Sequence, residues 1–193
     1  MVYNREEAAQ RAENARTNIP GTCQIWTRTI FGALSVGDFD GDGDADAVDG
    51  WKQSTRKHAG DRHPPRGVPV SFSGGSKGYG HRAVSVGDVN GQALLRSTDM
   101  SSLTHSWRPG VVGLVSIADI EQAMNVKYLG WSEDISGVLI PMPPTKKPAV
   151  EKKSRGVKID SALKDLRASK GTGERKILID RAIETLAALP LIK

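Results

Sequence analysis

Six aspartates fall within the twelve residues 38–49, a density of like charge that a buried helix or strand cannot hold. Counted from Asp38, carboxylates stand at positions 1, 3, 5, 7, 9 and 12 and a glycine at position 6, the spacing of a twelve-residue calcium loop. This spacing predicts a structural calcium site, with a solvated acidic turn as the alternative. The predicted ligands are Asp38, Asp40, Asp42, Asp44, Asp46 and Asp49.

The only cysteine, Cys23, precedes this run at the predicted start of a helix over residues 23–31. Thr22 is the expected N-cap residue, which places the thiol in the first helical turn. A helix N-terminus stabilises a thiolate and offers backbone N–H groups to an oxyanion. The pattern therefore indicates a nucleophile; a small buried side chain without a chemical role is the alternative.

The pattern along residues 1–140 predicts an α+β domain. Asn4 and Glu7 form a capping-box pattern for a first helix over residues 4–18. After an irregular stretch over residues 51–67, short strands follow one another with turn signals between them. Pro69 indicates that the first of them, over residues 68–72, is an edge strand. A short helix over residues 117–124, with Ser116 and Asp119 as its capping-box residues, interrupts the strands. His81 opens one strand and Asp99 closes the next, so both are expected at the same edge of the sheet.

The C-terminal part differs in composition. Residues 141–156 contain four prolines and several lysines and are predicted to be an extended linker. Apolar residues at helical spacing in residues 157–193 predict a basic helical hairpin that docks on another surface. Residues 145–193 carry 13 Lys/Arg against 6 Asp/Glu, a net charge of +7, so that the total of +5 leaves −2 for residues 1–144.

Composition also limits the classes of partner. The basic C-terminal part fits an acidic partner or a solvated surface. Nucleic acid is disfavoured, since aromatic residues make up only 5% of the chain and none follows Trp131. The N-terminal residues lack a signal-peptide pattern, and no apolar run approaches the roughly 20 residues that span a bilayer. The sequence therefore predicts no membrane span.

A cysteine nucleophile needs a base and a third group that orients the base. Cys23 on a helix start, His81 on a strand start and a polar group on the following strand supply these three roles. Arg96, Ser97, Thr98 and Asp99 occupy that region, and Asp99 is the predicted third residue. This chain order is that of papain-like hydrolases. Each residue alone also has a structural interpretation, and His81 in particular could be a histidine at a strand edge.

Three motifs carry a closer resemblance: residues 21–28 (GTCQIWTR), 65–72 (PRGVPVSF) and 80–86 (GHRAVSV). Through them, residues 1–140 resemble the CHAP and NlpC-type cysteine peptidases. The narrower resemblance is to endolysin-like or tail-associated peptidoglycan hydrolases of phages that infect actinobacteria. It implies a papain-like core of N-terminal helices packed on an antiparallel sheet, with Cys23 as nucleophile and His81 as base.

The resemblance also implies a function and a place of action. The expected activity is that of an amidase or endopeptidase on bacterial peptidoglycan, with Ca²⁺ in the acidic loop near the cysteine. The protein is expected to be made in the host cytoplasm without a signal peptide and to act at the cell wall, or to be carried in the virion. The alternative is a non-catalytic virion, tail or wall-binding protein on the same fold, whose hairpin contacts a virion protein or a second copy.

Overall fold

The computed structural model describes residues 2–34, 37–39 and 41–143, which form a mixed α+β unit. The predicted basic hairpin lies outside the described residues, as does the predicted linker beyond residue 143. Asp40, one of the six predicted calcium ligands, is also outside them.

Four helices form within the described residues, each preceded by a polar residue at the N-cap. They are α1 (Arg5–Asn14), α2 (Cys23–Phe31), α3 (Ala47–Gln53) and α4 (Ile117–Met124). The predicted capping box of α1 is confirmed, because Asn4 accepts from the Glu7 amide and Glu7 accepts from the Asn4 amide. α1 nevertheless ends four residues earlier than predicted, because Thr17 pairs with Val111 as an isolated β-bridge and the chain is extended there.

Six strands form the main sheet in the order β1-β6-β2-β3-β4-β5, and all paired neighbours are antiparallel. A separate hairpin pairs β7 with β8. The strands are β1 (Lys57–Ala59), β2 (Pro69–Gly74), β3 (His81–Val89), β4 (Gln92–Met100), β5 (Trp107–Ser116), β6 (Val126–Ser132), β7 (Asp134–Ile135) and β8 (Val138–Leu139). The α+β class predicted from the sequence is therefore confirmed.

Three local predictions are corrected by the structure. Residues 51–67 are not irregular throughout, since they contain the end of α3 and the short strand β1. Pro69 does not mark an edge strand: it is the first residue of β2, a position that tolerates the missing N–H, and β2 lies between β3 and β6. Asp99 is not the last residue of its strand, since β4 continues by one residue to Met100.

The sheet buries apolar side chains on both faces. One cluster joins α1 and α2 to the sheet; its members include Ala8, Ala12, Trp26, Ile30, Phe31, Val84 and Val112. The other joins α4 to the opposite face; its members include Phe72, Ala83, Leu95, Val115, Ile117 and Ile120. Packing of α2 on the sheet fixes the first residue of this helix next to the first residues of β3. Among the described residues, no helix is long and apolar enough to cross a membrane.

Candidate active site

A cleft of about 640 Å³ opens where α2 and β3 begin. Cys23, His81 and Asp99 line it, together with Asp44 and Asp46 of the acidic loop. The fold thus brings the three side chains predicted to be catalytic and part of the predicted calcium loop to one surface.

Two apolar side chains stand exposed on the wall of this cleft. Ile25 of α2 is 54% exposed and Trp107 of β5 is 59% exposed. The facing rim is the glycine-rich turn of residues 74–80, which carries Lys77 and Tyr79. Exposed apolar surface beside a polar rim is typical of a binding groove.

Cys23 is the first residue of α2, as predicted, but the cap differs from the prediction. Thr22 occupies the N-cap position without a capping hydrogen bond, and its hydroxyl instead donates to the Ile19 carbonyl at 2.7 Å. Burial raises the pKa of the Cys23 thiol to about 11, against the opposing effect of hydrogen bonds from the backbone amides of Arg82 and Gln24. The thiol is therefore protonated at neutral pH, because desolvation outweighs the favourable helix start.

His81 is the first residue of β3 and is only 4% exposed. Its Nε2 lies 2.8 Å from Ser97 Oγ, and its ring packs at 6.1 Å from the ring of Phe72. Burial lowers the pKa of His81 to about 4, although the charge of Asp99 acts in the opposite direction. The imidazole is accordingly neutral at neutral pH, the state in which it can accept a proton.

The side chain that contacts His81 Nε2 is that of Ser97, whereas the sequence analysis expected Asp99 to orient this histidine. The Asp99 carboxylate accepts hydrogen bonds from Gly21 N at 2.9 Å, Gly110 N at 2.8 Å and Asn18 Nδ2 at 3.1 Å. These bonds tie the segment before Cys23 to β4 and β5. Asp99 therefore holds the segment that precedes Cys23, and its charge still acts on both Cys23 and His81.

A β-bulge places Ser97 on the same face as His81, although the sequence analysis chose Asp99 from the polar residues 96–99. The turn between β3 and β4 pairs Val89 with Gln92, and continuing that register without interruption would place Ser97 opposite Val84. The register shifts between Ser85 and Gly87, so that Ser97 pairs with Ala83 and shares a face with His81. No signal in the sequence marks this bulge beyond a glycine inside the strand.

Carboxylates of the acidic loop accept hydrogen bonds from nearby backbone amides. Asp38 accepts from the amides of Gly41 at 2.6 Å and Gly43 at 2.9 Å. Asp46 and Asp49 form the capping box of α3, which the sequence analysis did not predict. Asp49 is fully buried and also accepts from the Phe39 amide at 2.6 Å. The end of the loop is thus the start of a helix.

The acidic loop also contacts the far rim of the cleft. Tyr79 donates its hydroxyl proton to Asp44 Oδ2 at 2.8 Å, and the Val48 amide donates to the Tyr79 carbonyl at 3.2 Å. Within residues 2–34, 37–39 and 41–143, no group of three or more His, Cys, Asp or Glu side chains is arranged to hold a metal ion. The calcium site stays a prediction.

Two other histidines make contacts of their own outside this cleft. His58 stacks on Trp131 with ring centroids 3.6 Å apart and lies 3.1 Å from Glu133. His105 Nδ1 lies 2.9 Å from Asp119 at the start of α4. Neither lines the cleft that contains Cys23.

No protein-family model, no curated protein and no solved structure matches this chain.

Proposed function

We propose that this protein is a papain-like cysteine hydrolase that cleaves amide bonds in the peptide part of bacterial peptidoglycan. The observation that carries the proposal is the convergence, at one cleft, of Cys23 on a helix start and His81 hydrogen-bonded to Ser97. A nucleophile, a base and a group that orients the base are the parts required for acyl transfer. The choice of substrate comes from the motif resemblance around Cys23 and His81.

The proposed reaction has two steps. His81 takes the proton from Cys23 as the sulfur attacks the amide carbonyl, and the first-turn amides of α2 hold the oxyanion. Collapse of the tetrahedral adduct breaks the C–N bond, and the imidazolium returns its proton to the leaving amine. Water, deprotonated by His81, then hydrolyses the thioester and releases the thiol.

The pKa values favour proton transfer during attack over a preformed ion pair. Burial raises the pKa of Cys23 and lowers that of His81, so that both groups are uncharged before substrate arrives. The proposed mechanism therefore uses general base catalysis and does not require a thiolate that is formed before substrate binds. Ser97 keeps the imidazole in one orientation for that step.

The acidic loop is proposed to take Ca²⁺ as a structural ion. An all-oxygen donor set fits a hard cation. Asp38, Asp42 and Asp44 supply the carboxylates, while Asp46 and Asp49 fix the start of α3. Since Asp44 also binds Tyr79, ion binding steadies the rim of the cleft.

The test is clearing of purified actinobacterial cell walls by wild type and Cys23→Ala, each with calcium and with EGTA. Clearing by wild type, its loss in Cys23→Ala and its weakening by EGTA are the expected results. Thr29→Ala is the matched control, because Thr29 is exposed on the same helix and does not line the cleft. Clearing by Cys23→Ala at the wild-type rate would overturn the hydrolase.

The second candidate is a non-catalytic virion or wall-binding protein on the same fold. Desolvation of the half-buried Cys23, which raises the pKa of its thiol to about 11, is the observation that favours it. This candidate predicts that wild type and Cys23→Ala sediment equally with insoluble walls and clear none of them. Alkylation of Cys23 by iodoacetamide much faster than that of free cysteine would exclude it.

A further inference from the structure

Arg82 has the largest of the fully buried side chains in the described part of the chain. It follows His81 in β3 and points toward α2. Its Nη1 lies 3.3 Å from Gln24 Oε1 and 3.4 Å from Ser136 Oγ, and its Nε lies 3.2 Å from Ser71 Oγ. All three acceptors are neutral.

A buried guanidinium is costly unless opposite charge compensates for the lost hydration. Within the described residues, Arg82 Nη2 has no hydrogen-bond partner. Burial lowers the pKa of Arg82 to about 10, which leaves it charged at neutral pH, and the negative charges that act on it are those of Asp134 and of an ionised Cys23. Asp134 is therefore the larger countercharge of this arginine, and an ionised Cys23 is the smaller one.

The Arg82–Gln24 contact is held by close packing against α3. A Cβ built on Gly50 would lie 2.6 Å from Arg82 Nη1 and 2.7 Å from Gln24 Nε2. A larger residue at this point would displace the ends of both side chains. Because Gln24 directly follows Cys23, this packing fixes the first turn of α2.

We propose that Arg82 is a positioning residue for Cys23, which it serves in two ways. Its side chain holds the first turn of α2 through Gln24, and its charge stabilises the thiolate that forms during attack. The charged and titratable groups around the thiol are Arg82, His81 and Asp99, of which Asp99 opposes the thiolate. The inference gives Arg82 a role in the proposed hydrolase, but its test needs no wall substrate.

The test measures the rate of alkylation by iodoacetamide between pH 6 and 9. Cys23 is the only cysteine, so that the mass increase reports this thiol alone. Arg82→Met is expected to lower the rate about tenfold at each pH, which corresponds to a rise of about one unit in the thiol pKa. Arg82→Lys, which keeps the charge, is expected to stay within about threefold of wild type.

Arg96→Met is the matched control. Arg96 is also buried, on the neighbouring strand, but it donates to the carbonyls of Ala12 and Ala15 at the end of α1 and of Val112 in β5. We expect this variant to lose stability and to keep the wild-type alkylation profile. Rates in urea, where all variants are unfolded, should be equal.

Equal profiles for Arg82→Met, Arg96→Met and wild type would overturn the proposal and leave Arg82 with a packing role only. If Arg82→Met does not fold, Arg82→Lys decides, and a tenfold loss in that variant would overturn the role of the charge. Wild type could fail to clear walls while Arg82→Met still shows the expected loss of alkylation rate. That outcome would reject the proposed hydrolase and would support the effect of Arg82 on the thiol.

Discussion

Two parts of the cleft, the side that carries Cys23 and His81 and the acidic loop, are stabilised by different kinds of hydrogen bond. On the cysteine side, hydrogen bonds join residues far apart in the chain: Gly21 to Asp99 across 78 positions and His81 to Ser97 across 16. In the acidic loop, most hydrogen bonds to the carboxylates come from near neighbours, such as Gly41 to Asp38 across three positions, and the bond of Tyr79 to Asp44 is a long-range exception. The first set exists only when the sheet is complete, whereas the second can form locally.

This difference separates the energetic roles of the walls. The bonds on the cysteine side are buried or partly buried, where loss of one partner leaves an unsatisfied group and costs most. Those of Asp38 and Asp42 are exposed and compete with water. We therefore expect substitutions on the cysteine side to affect the whole fold and those in the loop to act locally.

Asp99→Ala is expected to have the largest effect. It removes the acceptor of the Gly21 and Gly110 amides and places alanine at a φ of 58°, a left-handed conformation that Asp tolerates better. We expect a loss of about 4 kcal/mol in the free energy of unfolding, measured in urea. Asp88→Ala removes an equal charge from an exposed hairpin and should cost several times less.

If Asp99→Ala and Asp88→Ala shifted the urea midpoint equally, the hydrogen bonds on the cysteine side would not be more important for the fold than exposed ones. Asp99→Asn sharpens the measurement, because asparagine tolerates the same backbone conformation but offers one acceptor oxygen in place of two. Its expected loss lies between those of the two alanine variants.

The second largest effect is expected from acid, which should destabilise the protein by favouring protonation of His81. Burial lowers its folded pKa to about 4, below the ordinary 6.5, so the unfolded chain binds this proton first as the pH falls. Stability is therefore greatest above pH 6.5, and about 3 kcal/mol is lost as the pH falls toward 4. His81→Gln should flatten this part of the curve, measured by urea unfolding at each pH. If the free energy of unfolding of His81→Gln depended on pH between 4 and 6.5 as steeply as that of wild type, His81 would not be buried in its neutral form.

A smaller effect is expected from Ser97→Ala. Loss of its bond to His81 Nε2 should cost about 1 kcal/mol of stability and reduce wall clearing about tenfold, because the imidazole is no longer held in orientation. Thr98→Val is the control, since the Thr98 hydroxyl is buried without a partner among the described residues. That variant should keep stability and clearing. Equal clearing by both variants would remove Ser97 from the site.

The contrast between local and distant contacts also explains what could be predicted. Two capping boxes, Asn4–Glu7 and Ser116–Asp119, and the bounds of α2 depend on neighbouring residues, and the sequence predicts them correctly. The positions of Cys23 and His81 follow from such local signals. The calcium-loop spacing is likewise local, but the calcium itself stays a prediction.

What the sequence did not reveal depends on tertiary structure. The bulge between Ser85 and Gly87 decides which face Ser97 occupies, and the depth of burial decides the pKa of Cys23. Asp46 and Asp49 were interpreted only as metal ligands, which hid their signal as the capping box of α3. One pattern of aspartates thus fits both an ion site and a helix start, and spacing alone does not separate them.

The smallest effect is expected for Asp42→Ala in EGTA. Asp42 is exposed and accepts a hydrogen bond from the Asp44 amide, two positions away, so the urea midpoint should stay at the wild-type value. With calcium added, wild type should gain stability and Asp42→Ala should gain less, because an ion that binds only the folded chain stabilises it by mass action. Asp42→Ala in EGTA could instead destabilise the protein as much as Asp99→Ala does. The carboxylates of the acidic loop would then be coupled to the sheet. That result would contradict the distinction between a loop held by local hydrogen bonds and a cysteine segment held by the whole fold.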